Sequence, residues 1–368
     1  MTDYDALLLV SFGGPERAED VVPFLQRVTA GRGIPEQRIE AVADHYYKAG
    51  GASPINARCR QLLAALAPEM AELGLRLYWG NRNWAPLLED TMAQMRDDGI
   101  IRALAFVTSA YGGYSSCRQY QDDIARARAK VGPGAPDIEK LRLYYNHPGW
   151  VEPWAASLSE AFEQCVVAVG GLSRPTTVEG GHVAPDGAGW PVQGRPVQGR
   201  PVQGRPVQVL FSAHSIPLAM AATSPYVEHV TEAARLVAER AGTGSWQLVW
   251  QSRSGSPSSP WLGPDVCEVI EAGGAAGVVV VPVGFVCENM EVVHDLDVEA
   301  AATADKMKAH FVRASTVSAH PRFVQMVREL VQERLGPTVP PSALGPLGPW
   351  PPSCPEGHCP PAGRPASR

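Results

Sequence analysis

Val278-Val-Val-Val-Pro-Val-Gly-Phe-Val-Cys-Glu-Asn-Met-Glu-Val-Val-His-Asp-Leu-Asp-Val-Glu299 carries most of the information in this chain. Its first part is a continuous apolar run with the length and β-branched content of a buried parallel strand. Its second part switches to a helical period. Glu291, Asp295 and Glu299 fall at i, i+4 and i+8 and line one helix face, with roughly 6 Å of rise per step. Glu288 is expected on the same face. Like charges at this spacing repel by a few tenths of a kcal/mol per pair, so the ladder suggests a path for cations or protons. Taken alone, an acidic helix face is more commonly solvated surface, and acids in a first turn favour the helix dipole.

A second segment changes that balance. Val209-Leu-Phe-Ser-Ala-His-Ser-Ile-Pro217 is another apolar strand, and it delivers His214 at its C-terminal end. Ligands of open α/β sheets bind at that end. A lone histidine beside a strand is usually a satisfied structural group. A histidine and a carboxylate ladder, each at the C-terminal end of a strand, make a candidate site for a divalent metal or for proton transfer.

Strands are predicted at Ala6–Phe12, Leu75–Gly80, Arg102–Ser109 and Lys140–Asn146, with helices between them that include Arg58–Leu73 and Leu87–Asp98. A second series follows. It has a helix near Val151–Val169, strands at Val207–Ala213, Gln247–Gln251 and Gly277–Val283, the ladder helix, a strand near His310–Ala314, and a last helix over Pro321–Leu335. This rhythm predicts an α/β fold of two similar doubly wound, Rossmann-like domains with parallel sheets flanking a cleft. The first domain is read as residues 1–147 and the second as 148–319. A closing helix at 320–335 and a Pro-rich tail at 336–368 follow. The tail reads as lacking a packed core.

The second domain is interrupted at 170–206 by a low-complexity insert, in which Gly-Arg-Pro-Val-Gln occurs three times in succession from Gly194 to Gln208. Proline at every fifth position forbids helix and disfavours a central strand, so the insert reads as a surface loop.

The chain has 368 residues, 45% of them apolar, and a net charge of −6. This suits two ordinary domains and does not suggest nucleic-acid binding. No apolar run approaches the ~18 residues of a membrane span, and the N-terminus does not read as a signal peptide. A cytoplasmic protein is the default expectation. The seven cysteines are scattered and odd in number, unlike a secreted disulfide framework.

Seven motifs, in order, resemble the ferrochelatase family, most closely its actinobacterial coproporphyrin branch. They are Leu-Val-Ser-Phe-Gly-Gly-Pro-Glu at 9–16, Gly-Gly-Ala-Ser-Pro-Ile-Asn at 50–56, Gly-Asn-Arg-Asn-Trp-Ala-Pro at 80–86 and Ser-Ala-Tyr-Gly-Gly-Tyr-Ser-Ser-Cys-Arg-Gln-Tyr at 109–120. Ser-Ala-His-Ser-Ile-Pro at 212–217, Gln-Ser-Arg-Ser-Gly at 251–255 with Pro-Trp-Leu at 260–262, and the strand–ladder segment complete the set.

The resemblance implies insertion of Fe2+ into coproporphyrin III, with release of two protons. Protoporphyrin IX as substrate and a noncatalytic porphyrin- or haem-binding relative are the alternatives. It implies His214 as metal ligand or proton acceptor, and Glu291 as its acidic partner across the cleft. Asp295 and Glu299 become an inner relay, and Ser53, Tyr120, Phe12 and Arg32 contact the porphyrin. Phe12 offers no oxygen where some relatives have a tyrosine. Arg27, Arg32 and Arg58 fall in the region of the first domain's lip, where propionates need cations. Glu288-Asn289 stands where the family usually has Asp-His, and His294 where it usually has tyrosine.

Several members of the family carry a two-iron, two-sulfur cluster. Cys354 and Cys359 match its last pair and Cys165 its internal position, while one expected cysteine is missing and His358 is the candidate substitute. The resemblance also implies a monomer without membrane insertion, in transient contact with the downstream coproheme decarboxylase.

Overall fold

The computed structural model describes residues 3–31, 33–170, 206–254, 259–336, 339–354 and 358–360. Arg32 and almost all of the repeat insert lie outside the described residues.

The first strand, β1 (Ala6–Ser11), is buried at all six positions. A strand without a polar face belongs in the middle of a sheet covered on both sides. It is followed by α1 (Val21–Thr29), α2 (Glu36–Lys48), α3 (Ile55–Glu72), β2 (Arg76–Asn81), α4 (Leu88–Asp97), β3 (Arg102–Val107), α5 (Gln119–Val131) and β4 (Asp137–Lys140). The second series is α6 (Pro148–Ala168), β5 (Val207–His214), α7 (Leu218–Ala221), α8 (Tyr226–Ala241), β6 (Gln247–Gln251), α9 (Val266–Gly273) and β7 (Gly277–Val281). A π-helical segment, Val292–Ala300, then runs into α10 (Ala301–Lys306), and β8 (His310–Arg313) and α11 (Pro321–Leu335) end the series.

The two sheets have the same plan. The first runs β2-β1-β3-β4 and the second β6-β5-β7-β8, and every pairing is parallel. In each, strand order reverses beside the first strand, between β1 and β3 and between β5 and β7. A crevice opens at such a point beyond the strand ends.

Two of the expected elements differ from the structure. The fourth strand is Asp137–Lys140 rather than Lys140–Asn146. Residues 141–147 are all buried, but without a ladder, and burial rather than strand pairing explains their apolar character. The ladder helix is π-helical over Val292–Ala300, with i→i+5 bonding in place of the α-helical period.

The largest core cluster is shared by the two halves. Trp150 and Trp154 of α6 and Phe323 of α11 meet Phe106 of β3 and Tyr144. Gly149 lies where α6 meets α11, and a Cβ there would come within 2.6 Å of Met326 Cβ. Arg142 and Glu333 form a buried two-pronged ion pair, at 2.7 and 2.8 Å. A smaller cluster holds the α1–α2 lip together through Val21, Phe24, Leu25 and Ala43, with Phe12, Tyr46 and Trp84 packed against it.

The tail, expected to have no packed core, is laid against the body over 339–354. Leu344 N–H donates to Asn146 O at 2.8 Å. Asn146 Nδ2 donates to Gly348 O at 2.7 Å. Trp350 meets the His229 ring edge-on at 4.6 Å. Among the described residues, no helix is long and apolar enough to cross a membrane.

Candidate active site

A cavity of about 870 Å3 opens between the two sheets at their C-terminal strand ends. Phe12, Tyr46, Ser53, Arg82 and Tyr120 line it from the first half, and His214, Trp261, Glu291, Asp295 and Glu299 from the second. The switch points thus face one another across a shared space.

His214 is the last residue of β5. Gly284, in the turn after β7, donates its N–H to Ser212 O at 3.0 Å. A Cβ on Gly284 would lie 2.6 Å from Ala213 Cα, so glycine is required for this close approach. The turn thereby carries the chain past β5 and into the ladder beside His214.

The His214 ring is fixed at both ends. Nδ1 shares a short hydrogen bond with Ser215 O, which makes Nδ1 the protonated nitrogen. Nε2 therefore points at Glu291 Oε1, 3.5 Å away. Tyr226 Oη donates to the His214 carbonyl at 3.0 Å and anchors the backbone. Burial alone would lower this imidazole, but the Glu291 carboxylate and the Ser215 carbonyl outweigh it and raise the pKa to about 9. The buried His147 and His229 show the opposite response, for burial pushes each down to about 3. Glu291 feels burial upward, yet the imidazole opposite holds it below the usual carboxylate value.

Asp295 lies one step along the ladder. It accepts from Ser252 Oγ and from Gln251 Nε2, the latter at 3.3 Å. Burial and then the Glu291 charge, against these donors, raise its pKa. Glu299, at the outer end, is more exposed.

The expected arrangement needs three corrections. Glu291 is beside His214 on the same wall, not across the cleft. Glu288 does not join the ladder, because it turns to Arg58 at 2.9 Å and Arg313 at 3.7 Å. Arg58 is thus tied to Glu288, and Arg27 to Glu89 at 3.2 Å. Asn289, where the family usually has histidine, accepts the Val292 N–H at 2.9 Å and caps the helix.

In the first half, Ser53 is held against Gly14, where a Cβ would come within 2.8 Å of the Ser53 Cβ. Tyr120 lies under the Arg82 guanidinium, 4.5 Å from its ring centroid, and Arg82 is paired with Asp123. Arg82 also covers Phe12 at 5.6 Å. Sequence reasoning quoted Arg82 within a motif without giving it a role. A buried arginine over two cavity aromatics is the signal it missed. Arg38 and Arg253 add cationic groups to the lining.

The structure separates the cysteines differently from the expectation. Cys165 is fully buried in α6 with its thiol against Gly277 and 3.8 Å from His310 O. Cys354 instead meets Cys117, thiol to thiol, and receives Trp350 Nε1 at 3.4 Å. Cys359 Sγ lies 3.0 Å from His358 Nδ1. The hydrogen bond from Cys117, helped by Trp350, lowers Cys354 to about 5 against the effect of burial, while burial raises Cys359 to about 11.

Comparison with known proteins bears on the same residues. The Ferrochelatase family profile matches residues 4–173 and 194–335. A ferrochelatase from Rhodopirellula baltica is 44% identical over 97% of this chain and 93% of its own length. A coproporphyrin III ferrochelatase from Streptomyces coelicolor is 45% identical over 99% of this chain and 96% of its own. One from Nocardia farcinica is 46% identical over 90% and 88%. The matched residues run from β1 to the end of α11 and include both walls of the cavity, and on that extent the chain belongs to the ferrochelatase family.

Proposed function

We propose that this chain inserts Fe2+ into coproporphyrin III in the cavity between its two sheets, giving coproheme and two protons. The observation that carries the reading is the His214–Glu291 pair, 3.5 Å apart on the cavity wall at the head of a carboxylate ladder. Metal insertion must remove two N–H protons from the macrocycle. An imidazole whose Nδ1 is already donating offers Nε2 alone to the reacting face. With the imidazole pKa raised to about 9, that nitrogen holds a proton near neutral pH, so it must first pass it on. Glu291, then Asp295 with its raised pKa, then the exposed Glu299 form the outward route. His214 and Glu291 are the groups assigned to the iron and the protons, and Asp295 and Glu299 to the relay. Ser53, Tyr120 and Phe12 form part of the macrocycle's seat.

The lip supports the tetracarboxylate. Glu36, Gln37, Arg38, Glu40 and Asp44 are polar residues of α2, and the helix has no apolar outer face to enter a bilayer. Arg38 and Arg253 line the cavity, and four propionates pair with more such cations than two do. Coproporphyrin III is also the substrate named for the Streptomyces coelicolor and Nocardia farcinica relatives. The test is anaerobic ferrous insertion with coproporphyrin III and protoporphyrin IX side by side. A higher kcat/KM for coproporphyrin III is expected, and an equal or higher value for protoporphyrin IX would overturn the choice. The noncatalytic reading drew on Asn289, whose capping role accounts for that residue without it.

The tail thiols support a resident iron–sulfur cluster with a changed ligand set. Cys117, Cys354, Cys359 and His358 are the groups that would hold it, and Cys165 is not among them. Such a cluster supplies one-electron chemistry when bound. Absorption and electron paramagnetic resonance of anaerobically purified protein test this. Cys117→Ser is expected to lose the signal and Cys165→Ser to keep it.

A further inference from the structure

Beside the cavity the two halves of the molecule are joined by two neighbouring side-chain contacts. Arg58 of α3 meets Glu288 at 2.9 Å. One residue further along α3 and one back along the turn after β7, Cys59 meets Cys287, thiol to thiol. The ion pair thus holds α3 and the turn in the register that keeps the two sulfurs together. Neither sulfur takes part in the His214–Glu291 pair or in the tail.

The surroundings suit these thiols to reaction as well as to packing. Cys287 donates to the Cys59 sulfur, and Cys59 Sγ donates in turn to Ser11 Oγ at 3.3 Å. The hydrogen bond from Cys287 outweighs burial and lowers the Cys59 thiol, with Ser11 and Arg60 adding to it. Cys59 is fully buried, whereas Cys287 lines the cavity. A small solute therefore reaches the pair from the cavity without crossing the core.

We infer that Cys59 and Cys287 are a modification site, an oxidisable dithiol that small hydroperoxides entering the cavity convert to a disulfide between the two halves. The Cys59 thiolate attacks the peroxide. A sulfur–oxygen bond forms, the O–O bond breaks, and the departing hydroxide takes up the thiol proton as water. The Cys287 sulfur then attacks the sulfenic acid on Cys59. The S–S bond forms, the S–O bond breaks, and a second water leaves. Overall the two thiols lose two electrons and the peroxide is reduced to two waters. Bonding draws the sulfurs well inside their contact distance. Cys287 stands four residues before Glu291, so the pull is delivered to the segment that carries this carboxylate, and turnover falls until the bond is reduced.

The probe is hydrogen peroxide, added in slight excess to full-length protein without iron or porphyrin. Free thiols are then blocked with N-ethylmaleimide in denaturant, and peptic peptides are mapped without reduction. A peptide linking Cys59 to Cys287 is expected, and dithiothreitol should abolish it. The map separates this link from one between Cys117 and Cys354. Cys287→Ser keeps a hydrogen-bond donor beside Cys59 but removes the resolving sulfur. In that variant dimedone, added during unfolding, should trap a sulfenic acid on Cys59. Recovery of Cys59 and Cys287 as maleimide adducts from peroxide-treated wild type would overturn the site. The turnover arm rests on the iron-insertion reading, while the peptide map does not. Oxidised wild type, freed of peroxide, should insert iron about tenfold more slowly and recover with dithiothreitol. A link formed at unchanged turnover would overturn the coupling to Glu291.

Discussion

His214 Nε2 and Glu291 Oε1 lie 3.5 Å apart, and each moves the other's pKa outward, the imidazole up to about 9 and the carboxylate down. The raised histidine stabilises the fold fully below its unfolded value of about 6.5. That contribution fades as pH rises through about 9. The lowered carboxylate contributes above its unfolded value of about 4.3, and its contribution is lost on further acidification. Wild type should therefore exceed Glu291→Gln in melting temperature most clearly near pH 5–6, with the gap closing towards pH 9–10. A gap that stays constant from pH 6 to 10 would show that the pair carries no shared proton.

Turnover should separate the inner pair from the outer ladder. His214→Ala is expected to lower kcat by a factor on the order of 10² to 10⁴ with porphyrin binding largely retained, because the ring supplies chemistry rather than contact area. Glu291→Gln should be similarly impaired and Glu299→Gln less so. An active Glu291→Gln beside an inactive Glu299→Gln would reverse the direction of the relay. Steady-state insertion assays with tryptophan-quenching titrations of porphyrin read both quantities.

Gly284→Ala tests the backbone contact that sets His214. The added methyl would fall 2.6 Å from Ala213 Cα, one residue before the histidine. Overpacking of this kind costs about 1–3 kcal/mol. The variant should unfold at lower urea than wild type and lose turnover. Wild-type kcat in Gly284→Ala would mean that the turn does not position the site.

Breaking the Arg142–Glu333 pair should unfasten more than one contact. Arg142 Nη2 also donates to Ser342 O at 2.8 Å, so one guanidinium holds both α11 and the start of the tail. Removing one partner of a buried pair costs about 3–5 kcal/mol. Glu333→Gln is expected to lower the urea midpoint and to speed proteolysis after residue 336. An unchanged cleavage rate would separate the tail from the pair.

Much of the fold is legible because its strands are buried on both faces. Gln247–Gln251 and Pro321–Leu335 fall where apolar pattern and turn residues put them. Pattern failed where burial has another cause. Residues 141–147 look like a strand because Asn146 and its neighbours lie beneath the tail, whose apolar anchors at Leu344 and Trp350 sit in a Pro-rich stretch without period. The π-helix was hidden because acids four apart share a face roughly as well in either helix. Its mark is the five-residue interval from His294 to Glu299. Cys117 went unread as a partner of Cys354 because nothing local ties two residues so far apart in sequence.

The contact of α11 with the first half also bears on how the chain is made. Arg328 reaches Glu69 of α3 at 2.7 Å, and Leu66 and Met70 of α3 share a core cluster with Phe323, Val327 and Leu330 of α11. During vectorial synthesis the first sheet can assemble early, yet this strip of α3 stays bare until the ribosome has made more than three hundred residues. A nascent chain stalled at residue 319 should display that strip to hydrophobic dyes and chaperones, and release of the last helix should hide it.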